Sequence, residues 1–117
     1  MKKKVMSVVL AAAMAVSMVV PAVSASAADK LVVYGIYKAG DQTWFIDEGD
    51  AAKKAVEDAG GEFIYVDAKM SPEEYLKAID NAVANNASGI ITCTPDQTLS
   101  QAAVDKAKDA DIPIVAC

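Results

Sequence analysis

Leu31-Val32-Val33-Tyr34-Gly35-Ile36-Tyr37-Lys38-Ala39-Gly40-Asp41-Gln42-Thr43-Trp44-Phe45 decides the fold. Leu31 to Tyr37 is almost wholly apolar and lacks two-residue alternation. That pattern suits a strand buried on both faces, as in a parallel sheet. A lone lysine ends the run, and Gly40 and Asp41 mark a turn. Thr43 is a reasonable N-cap for the helix that follows. In an α/β protein this layout places Lys38 and Trp44 at the carboxyl end of the first strand, where open α/β sheets bind ligands.

The rest of the chain repeats the unit. Asp47, Glu48 and Asp50 are expected in the first turns of the first helix, where they favour its dipole. Phe45, Ala52, Val56 and Ala59 share one helical face, and Gly60-Gly61 stops the helix. Phe63 to Val66 reads as a second strand. Ser71-Pro72-Glu73-Glu74 is a capping box with proline at the first helical position. Tyr75, Leu76, Ile79 and Val83 form the inner stripe of the second helix, which Asn85-Asn86 ends. Ile90 to Cys93 is a third strand with Thr94-Pro95-Asp96 as its exit. Thr98 with Gln101 suggests a capping box for a third helix, with Leu99, Ala103, Ala107 and Ala110 inward. Asp111 turns the chain into a fourth strand, Ile112 to Ala116, where a proline near the start is tolerable.

The order β-α-β-α-β-α-β implies right-handed crossovers into a parallel sheet. The expected fold is α/β, a three-layer doubly wound parallel sheet with strand order 2-1-3-4. The loops after strands 1 and 3 then meet at the switch point. The sequence reaches Cys117 inside the fourth strand. An apolar parallel strand left at an edge is a pairing hazard, so the sequence is expected to be the front of a longer protein, cut after this strand.

Residues 1–27 read as a secretory signal. Lys2, Lys3 and Lys4 form a basic start, Val5 to Val20 an apolar run, and Ala25-Ser26-Ala27 a cleavage site. A membrane anchor is the competing reading, but the run is short for a span and small residues follow it. Residues 28–117 are then the exported portion, periplasmic or secreted.

Composition narrows the function. The 117 residues hold no His and carry a net charge of −5. Residues 28–117 hold eight lysines against sixteen acids, a net of −8. An acidic balance argues against nucleic acid as a partner. Two distant cysteines and no histidine give no zinc-site spacing and no Ser-His or Cys-His nucleophile. No G-x-G-x-x-G or P-loop follows the first strand. No catalytic group, metal site or cofactor is expected. Cys93 and Cys117 fall near the ends of neighbouring strands; a disulfide there is geometrically demanding, and two buried thiols are expected.

The residues left for ligand binding cluster at the first and third strand ends. Lys38 is either a donor to ligand oxygens or a solvated loop lysine. Trp44 is either a stacking platform for the C–H face of a ring or helix-start packing. Six residues apart across one loop, both can point into one crevice. Asp41 and Gln42 add hydrogen-bonding groups, or serve the turn alone. Cys93 and Thr94 are placed in the same crevice, and Asp96 more naturally caps the helix it precedes.

These residues resemble a known family. The strand with Gly35, Lys38 with Trp44-Phe45, Ala78-Ile79-Asp80 and above all Cys93-Thr94-Pro95-Asp96 resemble periplasmic sugar-binding proteins of ABC importers, and within them the arabinose-binding branch. The resemblance runs from about Lys30 to Cys117 and covers roughly the first third of such a protein. It implies the N-terminal lobe of a type I periplasmic binding protein, hinged to a second lobe that closes over a monosaccharide. It also implies a monomer, with a membrane permease or a chemoreceptor as partner. Lys38 would bond sugar hydroxyls or the ring oxygen, Trp44 and Phe45 would pack on the ring, and Cys93 would line the cleft. Gln42 departs from the branch, which has a glutamate there. An amide donates as well as accepts but carries no charge, so the preferred sugar is left open. One wall alone is expected to bind sugar weakly or not at all.

A sensory domain presenting a small molecule to a membrane receptor would use the same lobe. An enzyme on a flavodoxin-like or Rossmann-like sheet lacks its chemistry here. A transcription regulator of this fold would need a DNA-binding element where the secretory signal lies.

Overall fold

The computed structural model describes residues 30–117. The expected secretory signal and its cleavage site lie outside them. Four parallel strands form one sheet in the order β2-β1-β3-β4. The strands are β1 (Val32–Tyr37), β2 (Glu62–Asp67), β3 (Gly89–Cys93) and β4 (Ile114–Ala116). The helices between them are α1 (Thr43–Asp58), α2 (Pro72–Ala84) and α3 (Ser100–Asp109), with a 3-10 turn at Gln97–Leu99 before α3. The expected class and strand order are those observed.

Alternation along β1 divides the core in two. Tyr34 and Ile36 join Tyr75, Ala78, Ile79, Ile90, Ala103 and Ala107 in the larger cluster, under α2 and α3. Tyr37 points the other way, toward α1, with Phe45 and Tyr65. Its ring centroid lies 5.6 Å from Phe45 and 5.0 Å from Tyr65. Among the described residues Thr92 is the one buried polar residue of the sheet interior. Its hydroxyl lies 3.0 Å from both Ile36 O and the Tyr75 hydroxyl, which satisfies it.

The three helices end alike. Gly60 (φ 84), Asn86 (φ 54) and Asp111 (φ 58) each take the left-handed conformation after the last turn. The amides of Gly61, Ala87 and Ile112 then reach back to Val56 O, Ala82 O and Ala107 O. These are Schellman ends, built from the residues that tolerate positive φ best. The third one corrects the fourth strand. Ile112 spends its amide on α3 and its side chain is buried beneath it, so pairing begins only at Ile114.

The helix starts agree less well. Ser71 caps α2 as expected, its Oγ accepting from the Glu74 amide at 3.2 Å. Thr43 does not cap α1. Gln42 is the N-cap through its backbone alone: its N–H is held by Ala39 O, its carbonyl takes the Phe45 and Ile46 amides, and its side chain turns to Asp41 Oδ1 instead of capping the helix. The acids of α1 begin beyond the first turn, and Ala59 is exposed because the helix has ended before it. Thr98 does not cap α3 either. Its amide and hydroxyl both donate to Asp96 Oδ1, at 2.8 and 2.9 Å, so Asp96 caps the 3-10 turn. Gln101 instead donates to Asp105 at 2.8 Å.

Candidate functional site

The carboxyl ends of β1 and β3 lie side by side, Tyr37 paired with Cys93. Lys38 therefore leaves β1 beside the Cys93-Thr94-Pro95 exit. A cavity of about 430 Å³ opens there, lined by Lys38, Thr92, Cys93, Thr94, Gln97 and Cys117 among others. Among the described residues the Lys38 ammonium has no ion-pair partner. It is a free donor at the wall of a mostly uncharged cavity. That suits a ligand rich in hydroxyl oxygens.

The loop after β1 is held from β2. Tyr37 pairs with Asp67 across the β1–β2 ladder. Asp67 Oδ1 accepts from the Gly40 amide at 2.7 Å and from the Lys69 amide at 2.8 Å. The Tyr65 hydroxyl donates to Gly40 O at 2.8 Å. Burial, and then the nearby Asp67 carboxylate, raise the Tyr65 phenol above its ordinary value, so it stays a donor. The Met70 amide donates to Lys38 O at 2.6 Å, which joins the loop after β2 to the end of β1. Lys69 and Met70 both adopt positive φ to make that contact. A second hollow, about 310 Å³, lies between these two loops and is lined by Ala39, Asp41, Gln42, Asp67, Lys69 and Met70.

The single crevice expected for the site residues is thus divided. Lys38 and Cys93 share the larger cavity, and Gln42 lines the smaller hollow. Trp44 lines neither and is 74% exposed on the first turn of α1. Phe45 is 8% exposed and packed on Tyr37, which fixes the start of the helix. Neighbouring residues of a helix lie about 100° apart around its axis, so Phe45 falls on the buried face of α1 with Gly49 and Val56 while Trp44 falls outside it. Cys93 is half-buried and Cys117 exposed, which corrects the expected two buried thiols; neither is in a disulfide. Tyr65, Asp67 and Met70 carry positions in this region that sequence reading passed over. The signal was present in part: with strand order 2-1-3, the end of β2 must adjoin the loop that follows β1.

Residues 32–117 match the family described as periplasmic binding protein domain. The L-arabinose-binding periplasmic protein of Escherichia coli (strain K12) is 37% identical over 89 residues. That alignment covers 76% of this chain and 27% of that protein, so the chain spans about a quarter of its relative's length. An ABC transporter solute-binding protein from Bacillus halodurans C-125, solved with bound myo-inositol, superposes with a TM-score of 0.66 at 26% identity. The match covers 74% of this chain and 30% of that one. A galactofuranose-binding protein superposes with the same TM-score and identity, over 74% of this chain and 29% of its own.

Proposed function

Because the chain belongs to the periplasmic binding protein domain family, we propose that it forms one wall of a cleft that captures a monosaccharide for an ABC importer. The observation that carries this reading is the Lys38 ammonium, unpaired among the described residues, at the wall of the cavity between the β1 and β3 ends. The relatives, a periplasmic arabinose-binding protein and a solute-binding protein holding a polyol, support the ligand class.

In this reading the protein is exported and performs no catalysis. Lys38 donates to sugar oxygens, Cys93 lines the wall beside it, and Gln42 approaches the ligand from the loop. Trp44, exposed on the first turn of α1, becomes a platform for the apolar face of the ring. Phe45 supports Trp44 from beneath by anchoring the helix start to Tyr37. Gln42 in place of a glutamate lowers the negative charge near the ligand and broadens the choice of sugar away from arabinose alone. An opposing wall completes the cleft and excludes water from the sugar.

Residues 30–117 grafted in place of the matching stretch of the E. coli relative test the reading. Calorimetric titration with arabinose, galactose, ribose and xylose is expected to show binding of at least one. A folded graft that binds none would overturn it.

A further inference from the structure

Two thiols meet at the carboxyl edge of the sheet. β3 and β4 run in register from Ile90–Ile114 to Thr92–Ala116. The ladder continues past β4, because the Cys117 amide donates to Thr92 O at 3.0 Å. The next pair in that register is Cys93 and Cys117. Side chains alternate along a strand, so both leave the face opposite to Thr92, on the α1 side. Neighbouring strands lie about 4.8 Å apart, inside the range of Cα separations that a disulfide bridges.

The side chains agree with the register. The Cys117 thiol donates to Thr92 O at 3.4 Å and is not bonded to Cys93. Burial, followed by Glu48 of α1 and Cys93 itself, pushes that thiol up to about 12, so Cys117 rests as the protonated thiol. Both cysteines line the cavity of Lys38, and neither is closed off from solvent.

We propose that Cys93 and Cys117 are a cross-strand dithiol that a small disulfide, such as oxidised glutathione, converts into an intramolecular bridge across the wall of this cavity. Cys93, as thiolate, attacks a sulfur of the external disulfide; a mixed disulfide forms and one thiolate departs. The second cysteine loses its proton and attacks the protein sulfur of that mixed disulfide, expelling the second thiolate. Two protein thiols lose two protons and two electrons, and the external disulfide becomes two thiols. The bridge ties the end of β4 to β3 beside Lys38. It is independent of which ligand the cavity takes.

The test equilibrates the purified protein with mixtures of oxidised and reduced glutathione, then quenches, alkylates free thiols and measures intact mass and peptide linkage. The expected product is an unalkylated chain lighter by two hydrogens, with Cys93 joined to Cys117. Cys93→Ser and Cys117→Ser each retain one alkylated or glutathionylated thiol and no internal link. The native protein is expected to need at least tenfold more reducing conditions to open the bridge than the same protein in concentrated urea. Full alkylation of both thiols, stable glutathione adducts on both, links only between chains, or equal ease of opening in urea would overturn the proposal.

Discussion

Asp67 Oδ1 accepts from the Gly40 amide at 2.7 Å, across 27 residues of sequence. With the Tyr65 hydroxyl on Gly40 O, this bond holds the loop between Lys38 and Trp44 from β2. A single carboxylate also takes the Lys69 amide, so it joins both loops of the site. Asp67→Ala leaves two backbone amides without their acceptor. Hydrogen bonds to charged groups contribute about 1.5–3 kcal/mol each, and water reaches this half-buried site. A loss of about 2 kcal/mol is expected in urea unfolding. Faster exchange of the Gly40 and Lys69 amides should accompany it; unchanged exchange at both would refute the clamp.

Gly49 sits under the Tyr65 ring. A Cβ there would lie 2.6 Å from Tyr65 Cδ2. Alanine is favoured over glycine in a helix interior by about 1 kcal/mol, whereas overpacking costs about 1–3 kcal/mol. Gly49→Ala is therefore expected to destabilise by about 1 kcal/mol. In a Tyr65→Ala background the same change should become stabilising. The reversal of sign, read from denaturation midpoints, is the check.

Tyr37 is fully buried, and its hydroxyl has no hydrogen-bond partner among the described residues. Burial, with the nearby Glu48 and Cys117, raises its phenol far above the ordinary value, so the group is neutral and unsatisfied. Tyr37→Phe removes the polar atom and keeps the ring contacts with Phe45 and Tyr65. A gain of about 1 kcal/mol in unfolding free energy is expected. A loss of that size would show that the hydroxyl is bonded in solution.

In the grafted protein, Lys38→Ala and Trp44→Ala are each expected to weaken sugar binding at least tenfold, about 1.4 kcal/mol. Trp44 is exposed, so its removal should leave the unfolding midpoint nearly unchanged. It is also the only tryptophan, and its fluorescence should respond to sugar directly. Unchanged affinity in both variants would return the pair to a structural role.

Asp96 accepts from the Thr98 amide and hydroxyl, which lowers its carboxyl below the ordinary 3.8. The unfolded chain therefore binds its proton more readily than the folded one. Its stabilisation is complete above the unfolded value and is lost as pH falls through the folded one. Asp96→Asn should flatten the acid limb of the stability curve below about pH 4. An acid limb identical to the wild type would refute the assignment.

Helix ends were legible in the sequence because they are local. Gly60, Asn86 and Asp111 mark left-handed positions within one turn of the amides they release, and Ser71-Pro72 acts within three residues. Helix starts were less so where several donors competed for one acceptor. Thr43 and Thr98 both looked like caps, but Gln42 precedes α1 and Leu99 precedes α3; Asp96 does cap, as its place suggested, but at the 3-10 turn before that helix.

Local pattern was enough for the layer order, because buried apolar runs alternating with amphipathic helices admit few topologies. It also placed Lys38 and Cys93 at neighbouring strand ends. Tertiary structure alone decided what each residue faces. Strand register set Asp67 on Gly40 and brought Cys117 beside Cys93, and the lie of α1 buried Phe45 while leaving Trp44 in solvent. Register and facing depend on contacts between residues tens of positions apart, and no local propensity encodes them.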